Sequence, residues 1–165
     1  MKGQPSIQLK EIDRNNYEDC IALKVSDAQT GFVASNLISL VQAAYEPDMY
    51  PLAVYAETVM VGFILYDFDR EIGGWSMSRY MIDEAYQNKK IGRRALRQFL
   101  LYFAARYGCL PLYTSVAIHN LAAQSLYEKQ GFERLDRFTY EINGTSFEEY
   151  RMLLSPVQYP KNLFT

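Results

Sequence analysis

Residues 87–93 are the most informative segment of this chain and read Gln87-Asn88-Lys89-Lys90-Ile91-Gly92-Arg93. The residues before this segment, Trp75 to Ile82, form an apolar, alternating run that is typical of a strand. The residues after it carry apolar side chains at helical spacing as far as Tyr107. The segment is therefore predicted to be a short polar loop that leads from a strand into the first turn of a long helix.

This predicted junction has the features of an anion-binding site. The first N–H groups of a helix have no partner within the helix, and they lie at the positive end of its dipole. Four cationic side chains fall within six residues, namely Lys89, Lys90, Arg93 and Arg94. Gly92 lets the backbone approach a bulky group closely. The segment matches neither a P-loop nor a dinucleotide-binding glycine pattern. It predicts a cradle for phosphate or pyrophosphate, and the alternative is a basic first turn that is solvated.

Length and composition limit the class of protein. A chain of 165 residues with 49% apolar and 22% charged residues fits one globular domain, predicted to span residues 1–165. It has no run of about 18 apolar residues and no N-terminal apolar signal region, so we expect no membrane partner. Two cysteines, Cys20 and Cys109, make neither a disulfide framework nor a metal site. A reduced, cytoplasmic protein without a metal ion is expected.

The net charge of −2 conceals an uneven distribution of charge along the chain. Residues 1–86 carry 13 acidic and 6 basic side chains, a balance of −7, whereas residues 87–165 carry 6 acidic and 11 basic ones, a balance of +5. This asymmetry favours an anionic ligand for the second half and a cationic ligand for the first. The alternative is that the acidic side chains are simply solvated. The basic residues centre on one junction, which argues against binding of nucleic acid.

The order of the predicted elements gives one mixed α/β sheet. The predicted strands are residues 6–11, 52–57, 59–69, 75–82, 112–116, 132–140 and 147–154. The predicted helices run from a cap at residues 13–16 to about residue 25, and over residues 33–45, 91–107 and 120–130. Gly108 and Gly131 are expected to end the last two helices, and Asn143-Gly144 to form the last hairpin turn. The predicted order is β-α-α-β-β-β-α-β-α-β-β.

Three segments together resemble the GNAT acetyltransferase superfamily. Residues 87–92 approximate its Gln/Arg-x-x-Gly-x-Gly/Ala motif, Asn120 stands at the loop-to-helix step after a strand, and residues 127–132 read Tyr-Glu-Lys-Gln-Gly-Phe, like its Tyr-x-x-x-Gly-Phe ending. The resemblance implies a mixed, mostly antiparallel sheet flanked by about four helices, with acetyl-coenzyme A as the cofactor. Lys90 departs from the family, which has its first glycine there. Its side chain must point away from the ligand or pair with the phosphates.

A narrower resemblance concerns the substrate. Residues 32–40 and 79–83 look like the corresponding parts of the bacterial spermine/spermidine N-acetyltransferases. This likeness implies a small-molecule polyamine as the amine substrate, and a homodimer as the assembly. The acidic first half of the chain supports a polycationic substrate independently.

The resemblance also implies where the coenzyme binds. Backbone groups of a splayed strand would meet the pantetheine arm, and these belong to Tyr80, Met81 and Ile82. One backbone N–H there would polarise the thioester carbonyl. Residues 87–93 would hold the phosphates, and Lys129 either reaches them or is solvated.

Two residues of the last predicted helix complete the expected site. Asn120 either bonds the pantetheine arm or caps its own helix. Tyr127 follows seven residues later, about two helical turns, and so shares its face. The resemblance implies that Tyr127 donates a proton to the coenzyme A thiolate. The alternative is a tyrosine that only packs at a helix end.

The sequence does not identify the general base. Ser78 occupies the strand position where some polyamine acetyltransferases carry a glutamate, and a serine does not replace a carboxylate. The acidic candidates for binding a cationic substrate or accepting its proton, directly or through water, are Glu46, Asp48, Asp67, Asp69 and Glu71. Spacing does not select among them. The sole histidine, His119, is expected to be a loop residue.

The function expected from these residues is acetyl transfer from acetyl-coenzyme A to a primary amine, spermine or spermidine above all. Direct attack by the amine is favoured because neither cysteine lies near the expected cofactor site. Two alternatives stay open. One is a different amine, such as a protein N-terminus, a lysine or an aminoglycoside. The other is a non-catalytic acyl-coenzyme A sensor. This alternative stays open because Lys90 replaces the first glycine of the family motif and because Ser78 does not replace a carboxylate base.

Overall fold

A computed structural model describes residues 4–161 of the chain. The order of its strands and α-helices over these residues is the predicted one, β-α-α-β-β-β-α-β-α-β-β. The strands are β1 (Ile7–Glu11), β2 (Met49–Ala56), β3 (Val59–Asp69), β4 (Gly74–Ile82), β5 (Leu112–Ala117), β6 (Glu133–Ile142) and β7 (Thr145–Leu154). The helices are α1 (Tyr17–Ala22), α2 (Asn36–Tyr45), α3 (Ile91–Tyr107) and α4 (Leu121–Lys129). None of these helices is both long and apolar enough to cross a membrane.

The strands hydrogen-bond in the order β1-β2-β3-β4-β5-β7-β6. The pairs β1–β2, β2–β3, β5–β7 and β6–β7 are antiparallel, and β4–β5 is parallel, so the predicted mixed, mostly antiparallel sheet is confirmed. The parallel register consists of three residue pairs, which join Trp75–Met77 to Leu112–Thr114. Residues 78–82 of β4 therefore lie beyond the segment that is in register with β5. The splay of this strand end stays a prediction.

Residues 4–67 and 78–99 form the first of two compact units. Side chains alternate along β3. Phe63 and Leu65 pack in a core cluster with Cys20 of α1. Tyr66, on the opposite face of β3, has its ring centre 5.5 Å from that of Phe99 in α3. Both faces of β3 are therefore covered by apolar side chains in this unit.

Residues 68–77 and 100–161 form the second unit. The Trp75 ring lies against Phe103 and Tyr107 of α3, with ring centres 5.7 and 4.3 Å apart. The β6–β7 hairpin turns at Asn143 and Gly144, whose φ angles are 52° and 78°. Two successive positive φ values are typical of a tight hairpin turn with this dipeptide. The predicted turn is confirmed.

The first helix is shorter than predicted. It ends at Ala22 instead of near Val25. Asn16 stands at its N-cap position, but its side chain makes no cap bond. The Asn16 amide group instead donates to the Glu11 carbonyl oxygen at 3.0 Å and accepts from the Asp13 N–H at 2.8 Å. These bonds shape the turn between β1 and α1.

Two other boundaries also differ from the prediction. α2 begins three residues later than expected because Ser35 is its N-cap, with its hydroxyl oxygen 3.3 Å from the Ile38 nitrogen. β2 begins at Met49 and includes Pro51. The register of β2 with β1 ends at Leu52. β1 does not extend to Pro51, so on that side β2 is locally an edge strand, and the missing N–H of the proline costs no ladder bond.

The two unpaired cysteines are expected to differ in reactivity. Cys20 is fully buried, and this burial raises the pKa of its thiol to about 12, whereas Cys109 is half-buried. Because the thiolate is the reactive form, an aromatic disulfide reagent at mildly alkaline pH should label one thiol rapidly and the second only on unfolding. The Cys109→Ser variant should lose the rapid phase. Rapid labelling that survives this substitution would contradict the prediction.

Candidate active site

The loop between β4 and α3 has an unusual backbone. Asn88 and Lys90 have φ angles of 59° and 62°, in the left-handed region that favours glycine. Lys90 thus has the conformation of a glycine at the position where the GNAT motif has its first glycine. Its side chain is exposed. The lysine adopts this conformation at a cost of about 1 kcal/mol.

Replacing Lys90 with glycine is expected to stabilise the fold by about 0.5 kcal/mol. The left-handed strain of about 1 to 2 kcal/mol is removed, while the greater freedom of glycine in the unfolded chain offsets part of this gain. Urea unfolding measures the difference. Lys89→Gly is the matched control, because φ at Lys89 is not positive and its side chain is bonded; this variant should be less stable than wild type. A Lys90→Gly variant that also loses stability would contradict the prediction.

The first turn of α3 presents backbone donors. The Arg94 N–H donates to the Lys90 carbonyl oxygen at 3.4 Å, and so begins the helical ladder. By helix geometry, the N–H groups of Ile91, Gly92 and Arg93 have no partner within the helix. The first turn of this 17-residue helix contains no acidic side chain. The predicted junction is therefore present and has the chemistry of an anion site.

The four cations of the junction differ in their surroundings. Lys89 Nζ donates to a backbone carbonyl oxygen at 2.7 Å, and the Arg94 guanidinium donates to that of Pro5. Lys90 and Arg93 are exposed. Lys89 and Arg94 thus help to hold the junction in place, and Lys90 and Arg93 present positive charge to the solvent.

Two side chains connect this loop with β4. Gln87 Nε2 donates at 2.8 Å to both the Ile82 carbonyl oxygen and Gln29 Oε1. The Tyr80 hydroxyl donates to the Gly92 carbonyl oxygen at 2.5 Å. Four residues predicted for the site, on the strand, the loop and the helix, are therefore brought together within the first unit.

The backbone groups of β4 point alternately to its two edges. Asp83 N–H donates to the Val61 carbonyl oxygen at 2.9 Å, and the Met81 carbonyl oxygen also lies beside β3. Tyr80 and Ile82 accordingly direct their N–H and C=O groups to the other edge. Of the three residues predicted to meet the pantetheine arm, these two have the suitable orientation. The Met81 side chain belongs to the core cluster.

The second group of predicted residues lies on α4, in the second unit. Asn120 Oδ1 accepts from the Ala123 N–H at 3.2 Å, so Asn120 caps its own helix, one of the two roles expected of it. His119, just before it, is an exposed loop residue as predicted. Lys129 is exposed in the last turn. The roles of Asn120 and Lys129 towards a coenzyme stay predictions.

Tyr127 is 6% exposed and packs against Phe132, with ring centres 5.7 Å apart. Burial raises the pKa of its phenol well above the ordinary value. The Thr114 hydroxyl opposes this rise in pKa, and the charge of Glu149 adds to it. Thr114 itself donates to the Met77 carbonyl oxygen at 2.9 Å. The Tyr127 phenol therefore keeps its proton at neutral pH, which a proton donor requires.

Several of the acidic candidates are exposed or already used by the backbone. Glu46 and Glu71 are exposed. Asp69 Oδ1 accepts from the N–H groups of Glu71 and Ile72 at 2.8 and 3.1 Å, and so shapes the turn between β3 and β4. Asp48 is half-buried with φ at 62°. Within residues 4–161, no group of acidic, histidine and cysteine side chains suits a metal ion.

The fifth acidic candidate has a different environment. Asp67 is half-buried, and its Oδ1 accepts a hydrogen bond from the Ser78 hydroxyl. Arg79 donates to the Ser78 carbonyl oxygen at 3.0 Å and to Gln42 Oε1 at 3.4 Å. Its Nε is buried, with no hydrogen-bond partner in the part of the chain that the structure describes. The sequence did not predict that Asp67, Ser78 and Arg79 lie together. Asp67 does lie four residues after Phe63 in the same strand, so its side chain is on the same face as a buried phenylalanine, and this spacing distinguishes it from the other acidic candidates.

Comparison with known proteins identifies the family. Residues 12–132 match the model of the acetyltransferase (GNAT) family. The chain belongs to this family. The resemblance inferred from the motifs is confirmed, and the acetyltransferase takes its acetyl group from acetyl-coenzyme A.

Individual relatives extend the comparison. This acetyltransferase is 31% identical over 134 residues, which are 78% of its chain and 88% of the relative, to a spermine/spermidine N(1)-acetyltransferase of Bacillus subtilis (strain 168). A 65-residue segment, 38% of the chain and 39% of the relative, is 43% identical to the N-alpha-acetyltransferase RimI of Mycobacterium tuberculosis.

A solved structure shares the fold. It is that of a spermidine N-acetyltransferase from Vibrio cholerae in complex with CoA and spermine. Its TM-score against this chain is 0.73 at 19% identity, over 93% of this chain and 97% of that one. At this identity the likeness concerns the fold alone.

Proposed function

We propose that this acetyltransferase moves an acetyl group from acetyl-coenzyme A to a primary amine of spermine or spermidine. The observation that carries the proposal is the similarity, over 78% of the chain, to a spermine/spermidine N(1)-acetyltransferase. The balance of −7 in residues 1–86 supports it, because a polyamine is a flexible polycation.

The coenzyme fits the residues proposed to hold it. The start of α3 combines N–H groups that have no partner within the helix with the exposed cations Lys90 and Arg93, a donor set suited to phosphates. We assign the phosphates to residues 87–93, with Lys129 as a further cation. Tyr80 and Ile82 would bond the pantetheine arm through backbone groups. Asn120 would also bond the pantetheine arm, in addition to capping its own helix.

Acetyl-coenzyme A supplies a thioester carbonyl that an amine nitrogen attacks directly. A covalent relay through Cys20 is not supported, because this thiol is fully buried in the core. We assign Tyr127 as the acid that protonates the leaving sulfur, the role that the family resemblance implies for it. A backbone N–H of β4 would stabilise the negative charge that develops on the carbonyl oxygen.

A second candidate function is acetylation of a protein N-terminus. The observation in its favour is the 65-residue segment that is 43% identical to an N-alpha-acetyltransferase. Such an acceptor also presents a primary amine, so the cofactor site and Tyr127 would serve it unchanged. The two functions differ in the groups that recognise the remainder of the acceptor.

A coenzyme A release assay tests these functions. The acceptors are spermine, spermidine, putrescine, lysine, an N-terminal peptide and an aminoglycoside, each with acetyl-coenzyme A. We expect release with spermine or spermidine well above the others. Release with the peptide alone would replace the polyamine with the second function. Tight coenzyme binding without release on any amine would indicate an acyl-coenzyme A sensor.

The proposal also covers the setting of the enzyme. We propose that residues 1–165 act as one acetyltransferase domain in the cytoplasm, where its two unpaired thiols would stay reduced. The homodimer implied by the resemblance is tested by the molar mass in solution.

A further inference from the structure

β6 forms one edge of the sheet. Among residues 4–161, no strand pairs with its outer side. The side chains of β6 are exposed, except for the half-buried Phe138. The backbone groups of such an edge are a template for pairing with another chain, and proline, lysine or a β-bulge often protects it. The bulge of β6 lies between Arg134 and Arg137. The regular stretch from Arg137 to Ile142 contains neither proline nor lysine, so this part of the edge is open to pairing.

The pairing of β6 with β7 determines which backbone groups face outward. Thr139 stands opposite Glu148. The Glu148 carbonyl oxygen accepts from the Ile118 N–H at 3.1 Å, so it points to the β5 side and away from β6. Two opposite residues of an antiparallel pair either bond each other or both point away. Thr139 therefore directs its N–H and C=O groups to the outer edge, and by alternation so do Arg137 and Glu141.

This outer edge is complementary to a second copy of itself. If two β6 strands lie antiparallel about a two-fold axis at Thr139, the two Thr139 residues face each other. Arg137 of each copy then faces Glu141 of the other. The outward backbone groups of these three residues bond across the axis, and both charge pairs are of opposite sign. An axis at Phe138 or Tyr140 would bring no arginine opposite a glutamate.

The aromatic side chains of the hairpin support the same register. Phe138, Tyr140 and Phe147 form a row of rings on one face, with neighbouring ring centres 6.0 and 5.3 Å apart. The axis at Thr139 places Phe138 of one copy opposite Tyr140 of the other, at positions where antiparallel side chains approach most closely. The two rows of rings would then meet at the axis. Charge, backbone direction and aromatic contacts thus favour a second copy of this chain as the partner.

This inference rests on the homodimer included in the proposed function. We propose that two copies of the acetyltransferase pair through the outer edges of β6, antiparallel about a two-fold axis at Thr139. β6 of one copy then continues the sheet of the other. Because a two-fold contact uses the same surface on both copies, it closes this edge and prevents open-ended association.

The test is the molar mass of the full chain in solution, measured by light scattering over a dilution series. We expect a wild-type dimer. Arg137→Glu and Glu141→Arg should each be monomeric, because like charges then face each other at both pairs. An equimolar mixture of these two variants should restore the dimer, since both pairs again have opposite signs. Glu133→Arg is the charge control and should stay dimeric, because Glu133 lies outside the paired stretch.

A cysteine cross-link checks the register without changing a charge. Thr139→Cys, made in a Cys109→Ser background, should form a disulfide-linked dimer rapidly under mild oxidation. Facing residues of a hydrogen-bonded antiparallel pair have Cα atoms about 5.5 Å apart, which a disulfide can span. Glu133→Cys in the same background should not cross-link, since the two cysteines would lie about 40 Å apart along the strands.

One of the charge variants also needs a check of its fold. Arg137 bonds Glu148 within its own hairpin. Arg137→Glu therefore places two glutamates together there, and circular dichroism shows whether the variant is folded. If it is not, Glu141→Arg and the cross-link decide the test, because Glu141 faces Ser146 across the hairpin and has no opposite charge there to lose.

The outcomes separate this inference from the proposed function. A dimer that persists in Glu141→Arg would overturn the inference and leave the homodimer intact. The same holds for a Thr139→Cys variant that cross-links no faster than Glu133→Cys, and for two folded monomeric variants whose mixture stays monomeric. A wild type that is monomeric at every concentration would overturn the inference and the homodimer together. None of these results bears on acetyl transfer, which the coenzyme A release assay decides.

Discussion

The Tyr127→Phe variant is expected to lower kcat about 100-fold, at the lower end of the ~10²–10⁴-fold range typical of proton transfer by a positioned side chain. Phenylalanine keeps the ring that packs against Phe132 and removes only the hydroxyl. Acetyl-coenzyme A should therefore bind as in wild type, which calorimetry measures, and steady-state coenzyme A release gives kcat. Unchanged turnover would remove Tyr127 from the mechanism.

The stability of the same variant at alkaline pH provides a control for the environment of the phenol. Burial raises the folded-state pKa of Tyr127 above its unfolded value, which is near ~10. Its contribution to stability is fully present below that unfolded value and is lost as the pH rises above it. Wild type should thus lose more unfolding free energy than Tyr127→Phe between about pH 8 and pH 10.5. Equal losses would show that the phenol is not held neutral.

The Gly131→Ala variant should be the most destabilising of the substitutions considered. Gly131 has φ at 99°, and a Cβ there would stand 2.6 Å from the Gln158 backbone carbonyl oxygen and 3.2 Å from the Leu154 side chain. Left-handed strain of about 1 to 2 kcal/mol adds to overpacking of about 1 to 3 kcal/mol, so we expect a loss of about 3 kcal/mol in urea unfolding. The altered turn follows directly on the helix that carries Tyr127, so kcat should fall as well.

Gly108→Ala is the matched control for this prediction. Gly108 also has a positive φ, 85°, but a Cβ there would meet nothing within 4 Å. Only the conformational strain applies, and we expect a loss of about 1 kcal/mol. If the two variants lost the same free energy of unfolding, the close approach of Gly131 to the Gln158 carbonyl would not contribute to the loss.

Elements whose ends depend on local chemistry could be predicted from the sequence. The stop of α3 before Gly108 and the turn at Asn143-Gly144 follow from residues that favour positive φ. The end of α1 could not be predicted in this way. Lys24, just beyond it, donates its N–H to the Asp83 carboxylate at 2.9 Å and accepts from the Glu84 N–H at 2.8 Å. These distant partners draw the chain out of the helical conformation.

The candidate site likewise combines features that local sequence determines with features that depend on distant partners. The cationic helix start and the Tyr127 motif are local patterns, and the sequence contains them in full. The bond between Asp67 and Ser78 depends on how β3 and β4 are aligned, which the spacing of the acidic residues does not specify. Lys90 was recognisable as a departure from the motif. Its left-handed backbone was not, because lysine rarely adopts that conformation.

The hydroxyl of Tyr80, bonded to the Gly92 carbonyl oxygen, has a thermodynamic consequence for ligand binding. It links the strand end proposed for the pantetheine arm to the helix start proposed for the phosphates. A ligand fragment that orders one of them would reduce the entropy that the other fragment has yet to lose. We therefore expect positive cooperativity between the nucleotide and the acyl-pantetheine halves of the coenzyme, beyond the sum of their separate affinities.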